Sequence, residues 1–380
     1  MAIVFWFALG LLGFTYLGYP LSMGLLSRLR PRPVHASAQT PRMDVLLVVH
    51  NAADALETKL ANLSTLNYPA GQLRINIVCD GCDDGTETIA RRHVSERIRL
   101  FAFAERRGKS ACIGRVLPSL DAGLVLFTDV RQRLDAESAR MLAAALADPA
   151  IGAASGELML EDATGYGEGI DAYWRYEKMI RRFESASGSL VGVTGALYAA
   201  RREALPEVPE GLVLDDMWIP LGVAARGYRV VFVAQALAYD RAAVDAPSEE
   251  RRKRRTLAGN YQLLHRWPRL ALPGGHPLVW RLWGHKWLRL LAPWLLAVAL
   301  LANIGLAIAH PLYALLLLMQ AAGYGLALLG RLRPATLAIA PVRMASAFLS
   351  LNLSAVMALF DYLRNRNAHL WQTTRLEKAR

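Results

Sequence analysis

Leu214-Asp215-Asp216-Met217 sets two carboxylates side by side. One member of such a pair is driven toward protonation by its neighbour and can serve as a general base. The plainer reading is a helix N-cap, because 217–226 has helical character. Phe127-Thr128-Asp129-Val130-Arg131 closes an apolar run. A carboxylate there is desolvated unless a metal, a ligand hydroxyl or a nearby arginine (Arg131 or Arg133) meets it. Cys79-Asp80-Gly81-Cys82-Asp83-Asp84-Gly85-Thr86 reads either as an Asp-Gly turn or as a loop whose carboxylate accepts hydrogen bonds from a base or ribose. Arg107-Gly108-Lys109-Ser110 lacks the upstream glycine of a P-loop, Phe103 standing in its place, yet a basic turn of this kind suits a phosphate. Residues 249–255 hold five cations in seven positions. They suit a solvated helix face, an anionic-lipid contact or a diphosphate clamp. Cys79 and Cys82 have only Cys112 beside them, too few ligands for a zinc site.

Such groups need strand ends to hold them. Between 41 and 245, short apolar runs (Val45–Val49, Ile75–Cys79, Leu124–Thr128, Tyr228–Val233) alternate with amphipathic stretches at 53–66, 86–96, 135–147 and 170–185. That alternation predicts an α/β domain with a mainly parallel sheet. In such sheets ligands gather beyond the carboxyl ends of the strands.

The flanks differ in composition. Residues 1–26 carry no Asp, Glu, Lys or Arg, and Arg28, Arg30 and Arg32 come directly after. The run is long enough to span a bilayer and too long for a cleaved signal peptide. The arginines place residue 28 onward in the cytoplasm. Three further apolar stretches occupy 288–309, 311–330 and 335–363, the last interrupted by Pro341 and Arg343, so it reads as a span or as a re-entrant segment. The expected organisation is an N-terminal transmembrane helix (1–27), a cytoplasmic catalytic domain (41–245), a basic membrane-interface region (246–287), a C-terminal hairpin with a third segment (288–363) and a basic tail (364–380). The formal charge of +12 on 380 residues suggests nucleic acid at first. No nucleic-acid module is visible, and the charge is equally that of a cytoplasmic membrane face.

Taken in order, the motifs resemble those of the membrane-embedded family 2 glycosyltransferases, related to polysaccharide synthases, over roughly 41–290. The first strand with Asn51, the Asp80-Gly81 loop, Arg107-Gly108-Lys109, Asp129-Val130-Arg131 in the place of a DxD site, Val193-Thr194-Gly195-Ala196 and Asp215-Asp216 in the place of an ED pair match the family's motifs in their order. Trp371–Arg375 resembles the tails of that group. The resemblance implies a GT-A fold flanked by transmembrane helices, one N-terminal and two or three C-terminal. It implies donor binding by Asn51, Asp80, Gly81, Lys109, Asp129 and Arg131. Asp129 would hold a divalent cation, Mg or Mn, although the second DxD position is Arg131. Asp216 would be the base, with Asp215 beside it, and Gly195, Arg252, Arg254 and Arg255 would line the diphosphate and acceptor region.

The implied reaction is inverting transfer from a nucleotide-diphosphate sugar, a UDP-sugar first among them, to a hydroxyl of a lipid-linked or polysaccharide acceptor in the cell envelope. The enzyme would be multi-pass in the inner or plasma membrane, in contact with lipid and not with nucleic acid. In register with the processive QxxRW motif, Arg252 falls at Gln, Arg255 at Arg and Thr256 at Trp. Without that aromatic platform the chain is expected to add one or a few sugars. The alternatives are a processive exopolysaccharide synthase and a catalytically impaired nucleotide-sugar-binding scaffold.

Overall fold

The computed structural model describes residues 1–161, 167–241, 246–364 and 370, with side chains throughout these except at 167–173 and 241–249. The tail motif at 371–375 and most of the basic tail lie outside the described residues.

Eight strands form one sheet: β1 (Met43–Val49), β2 (Leu73–Asp80), β3 (Ile98–Phe103), β4 (Leu124–Thr128), β5 (Arg133–Leu134), β6 (Ile151–Glu161), β7 (Leu197–Arg201) and β8 (Arg229–Arg241). Their order is β3-β2-β1-β4-β7-β6-β8-β5. β1 through β4 run parallel, β7 enters antiparallel between β4 and β6, and β8 lies parallel to β6. This is a GT-A-like α/β fold. β1 shows why its sequence is an unbroken apolar run. Met43, Val45, Leu47 and Val49 enter one core cluster, while Leu46 and Val48 enter another on the opposite face.

The helices are α1 (Ala2–Leu29), α2 (Ala53–Ser64), α3 (Thr86–Arg92), α4 (Lys109–Val116), α5 (Ser138–Ala145), α6 (Gly167–Ser187), α7 (Asp215–Ala225), α8 (Ala246–Arg266), α9 (Val279–Ala307), α10 (Pro311–Leu332) and α11 (Ala340–Arg364). Four of them, α1, α9, α10 and α11, are long and apolar enough to cross a membrane. The last stretch is therefore one continuous helix. Pro341 and Arg343, which read as interruptions, stand in its first turn, where proline costs no hydrogen bond.

α6 joins the sheet domain to these helices. Tyr19 of α1 donates to Glu184, and Tyr176 donates to the Tyr16 carbonyl at 2.8 Å. The carbonyls at the C-terminal end of α6 are covered by arginines. Arg281 donates to Glu184 O at 2.7 Å, and Arg229 to Ser185 O at 3.1 Å and Gly188 O at 2.9 Å. Cations there also complement the helix dipole.

Candidate active site

β4 ends at Thr128, so Asp129 projects beyond the carboxyl edge of the sheet. Its Oδ1 accepts from Lys109 Nζ at 2.6 Å, and the same ammonium lies 3.5 Å from Asp215 Oδ2. Lys109 is the first residue of α4. Burial works against its charge, but Asp129 and Asp215 outweigh burial and hold it above the usual lysine range. Asp215 and Asp216 open α7. Neither caps it: the N-cap position is Leu214, without a side-chain cap, and both carboxylates stand in the first turn. Burial first, and then Asp215, push the Asp216 carboxyl up to about 7, with Lys109 opposing. Gly195 closes the group. A Cβ built on it lies 3.7 Å from Asp216 Oδ2 and 3.8 Å from Asp129 Oδ2. Both carboxylates therefore face one gap that a side chain at 195 would enter.

The neighbouring loops set this geometry. Asp80 is fully enclosed, and its two oxygens accept from the backbone N–H of Arg107 (2.7 Å) and Gly108 (2.9 Å). Its carboxylate thus positions the turn that delivers Lys109, rather than standing open to a base or ribose. Gly81 has φ +58°, and a Cβ on it would lie 2.5 Å from Arg106 N, so only glycine fits. Asn51, at φ +47°, exchanges hydrogen bonds with Asp83 (2.6 and 3.0 Å), which fixes the loop after β1 to the loop after β2.

Two of the expected donor-side arginines have other partners. Arg131 does not join the site carboxylates. It pairs with Asp240 at 2.5 Å, and Gln132 donates to the same oxygen at 2.9 Å. A buried carboxylate on β8 demands a partner, and Arg131 supplies it. Arg254 is likewise turned to another carboxylate. It makes a bidentate pair with Asp361 of α11, at 2.9 and 2.7 Å. Arg252 and Arg255 are exposed on α8.

Lys59 was not singled out in the sequence. It is 2% exposed and donates to Thr128 Oγ1 (2.8 Å) and Gln132 O (2.6 Å), so it clamps both ends of the segment that carries Asp129. Burial lowers it to about 7, with Asp129 opposing. Its spacing from Leu56, Leu60 and Leu63, all buried, is the signal that would have placed it inward. Tyr198, stacked on Phe127 at 4.4 Å, carries a buried hydroxyl that has no hydrogen-bond partner among the described residues.

Asp129 and Asp215 share one ammonium, that of Lys109, and among the described residues Asp215 Oδ2 accepts no hydrogen bond. That charge fits a divalent cation. Among the described residues, no three ligands are arranged to hold one alone. The donor set therefore suits a cation that takes part of its coordination from a ligand's own oxygens.

The family model for the glycosyl transferase family group 2 matches residues 124–328, just over half of the chain. Among solved structures, the chain is similar to a mannosyltransferase from Pyrobaculum calidifontis in complex with GDP-Man and Mn2+. The TM-score is 0.70 at 23% identity, over 95% of this chain and 99% of that one. A weaker likeness, to TarS of S. aureus, has a TM-score of 0.42 at 14% identity over 57% of this chain and 39% of that one. No curated protein matches the chain.

Proposed function

The chain belongs to the glycosyl transferase family group 2, and on that premise we propose inverting transfer of a sugar from a nucleotide-diphosphate sugar to a hydroxyl of a lipid-linked or envelope glycan acceptor. The enzyme is a glycosyltransferase, and the finer reading is ours. One observation carries it: Asp216, with a proton affinity near neutrality, and Asp129 face the same gap across Gly195.

In this reading Asp216 takes the proton of the acceptor hydroxyl as its oxygen attacks the anomeric carbon. The bond to the diphosphate breaks on the opposite side. Lys109, held between Asp129 and Asp215, stands ready to neutralise the departing charge. A divalent cation at Asp129 would share that neutralisation. Asp80 and Lys59 keep Lys109 and Asp129 in place through the backbone they hold. Thr256, exposed on α8 where processive synthases carry Trp, supports addition of one or a few sugars. The sheet domain faces the cytoplasm, on the side of Arg28, Arg30 and Arg32.

Diphosphate release by the detergent-purified protein tests the reading, over a panel of uridine and guanosine diphosphate sugars with Mg or Mn. The guanosine donors belong in the panel because the Pyrobaculum enzyme is in complex with GDP-Man. Release with one donor, increased by an envelope lipid extract, is expected. No release from any donor overturns the reading. Gly195 gives a sharper check. An alanine there meets only ordinary contacts, so Gly195→Ala folds as the native protein does. Gly195→Val extends further into the gap and should stop transfer without lowering the melting temperature. Full activity in Gly195→Val would separate the gap from the reaction.

A further inference from the structure

Length and composition qualify four helices as spans, but the course of α11 is set by what it is fastened to. α1, α9 and α10 run side by side, and their two ends are distinct. At the end far from the sheet domain, Phe5 of α1 packs with Ala299 and Ala302 of α9 and with Tyr313 of α10. At the near end, Tyr19 of α1 and His285 of α9 both contact Glu184 of α6. α10 turns back at 308–310, so its last turn returns to the level at which α9 starts. Arg331 and Arg333 mark that end as the side shared with Arg28, Arg30 and Arg32.

α11 stays at the near end throughout. Its first turns pack on the last turns of α10, where Ser346 donates to the Ala327 carbonyl at 3.2 Å and Gly330 faces Val342. Its middle meets α1 at Tyr16, whose ring centre lies 5.2 Å from that of Phe348. The carbonyl of the same Tyr16 accepts from Tyr176 of α6 at 2.8 Å, so this contact too is beside the sheet domain. Its last turns meet α8. Asp361 pairs with Arg254 at 2.9 and 2.7 Å, and the Ala355 carbonyl accepts from Tyr261 at 3.3 Å. α8 is held by the sheet domain, since Gln262 bonds Val213 N and Gly211 O, and Arg266 donates to Glu210 O at 2.7 Å. A helix that crossed the bilayer would carry Asp361 about 27 Å beyond Arg343, to the opposite end of α1, α9 and α10. The contacts instead return it to α8. Along this course Met344, Phe348, Leu353, Met357, Phe360 and Leu363 remain exposed. An apolar row of that extent marks a lipid contact, and it adjoins α10, whose Leu315 and Leu318 are exposed in the same way.

We propose that α11 does not cross the membrane but lies along its surface on the side of the sheet domain, with its exposed apolar row in the lipid of that leaflet. The chain then crosses three times, and Arg364 stands on the same side as the active site. Arg364, Arg366, Arg375, Lys378 and Arg380 thereby share a side with the arginines that follow α1 and end α10, as the bias of basic residues toward one face requires. Four crossings would set that basic run on the side of Met1. The inference is independent of the reaction, because it rests on the contacts of α11 alone.

Parity tests it. The full chain carries one short protease-cleavable tag before Met1 and a different one after Arg380, and sealed membrane vesicles of each orientation meet the two proteases from outside. Three crossings put the tags on opposite sides, so each orientation loses one tag and keeps the other. Loss of both tags in one orientation and of neither in the other overturns the proposal. Depth is the second measurement. Leu353→Lys, at a position 44% exposed near the middle of α11, should leave the amount of folded protein in the membrane within about 2-fold of native, because a lysine on a surface helix reaches the headgroups. Leu318→Lys, at a position 67% exposed within α10, should lower that amount by about 10-fold or more. Equal effects at the two positions overturn the proposal. So does a dimer in nanodiscs that Leu353→Lys dissociates, since a second copy would then cover the apolar row.

Discussion

Asp216→Asn abolishes sugar transfer while nucleotide-sugar binding persists. Asparagine keeps the shape and the contacts of the first turn of α7 but cannot accept a proton, so the loss is that of a general base, about 1,000-fold or more. The native enzyme should gain activity as pH rises through about 7, where Asp216 ionises. The same substitution should stabilise the fold, and the sign comes from linkage. Burial and Asp215 raise the folded carboxyl far above its unfolded value, so the native state binds the proton more tightly. Stability therefore falls as pH rises from about 4 to about 7, and the penalty stays in full above that. Asn removes it. Asp216→Asn should melt at a higher temperature than the native protein at pH 8, and the difference should fade toward pH 4. Undiminished transfer, or a melting advantage that is independent of pH, would contradict the assignment of the base.

Asp80→Asn should cost both donor affinity and stability. The native carboxylate accepts two amides, from Arg107 and Gly108, in a place water does not reach. Asparagine can accept one and turns its own N–H toward the other. Losing a hydrogen bond to a charged acceptor and leaving a buried donor unpaired is worth about 1.5–3 kcal/mol. The greater effect falls on the donor. Gly108 opens α4 at φ +92°, and Lys109 comes next, so a relaxed turn withdraws the ammonium from Asp129 and Asp215. Donor KM should rise by more than 10-fold, and calorimetry should find weaker nucleotide binding. Asp80→Glu, one methylene longer, should not restore it. Native donor affinity in Asp80→Asn would mean that the turn does not depend on this carboxylate.

The sequence exposed what repeats locally and hid what converges from afar. β1, β2 and β4 were legible because strands buried on both faces read as apolar runs. β6 was not. Its first half, Ile151-Gly152-Ala153-Ala154-Ser155-Gly156, is small because Tyr228 and Val223 press on Gly152, and Leu197 on Gly156. Residues chosen for close approach look like a loop. β7, with Ala199 and Ala200 between its neighbours, was missed for the same reason. Asp129, Asp216 and Lys109 were found individually as strand-end and turn residues, and only the order of the motifs suggested that they meet. The partners of Arg131 and Arg254, Asp240 and Asp361, stand 109 and 107 residues away. No local pattern records such a pair. The helix at 53–66 was legible, but a lysine in it reads as a solvated charge, and Lys59 is buried.

The pair between Arg254 and Asp361 bears on more than packing. Tyr261 of the same helix donates to the Ala355 carbonyl of α11 at 3.3 Å, so α8 is fastened to that apolar helix at two points. At its other contacts α8 grips the approach to the catalytic pair. Gln262 accepts from Val213 N at 2.9 Å and donates to Gly211 O at 2.7 Å, and Gly259 sits against Leu214. The helix is thus a lever with one arm in the apolar layer and the other two residues from Asp215. A helix fastened at both ends in this way ties the position of the loop before Asp215 to that of the apolar helix α11.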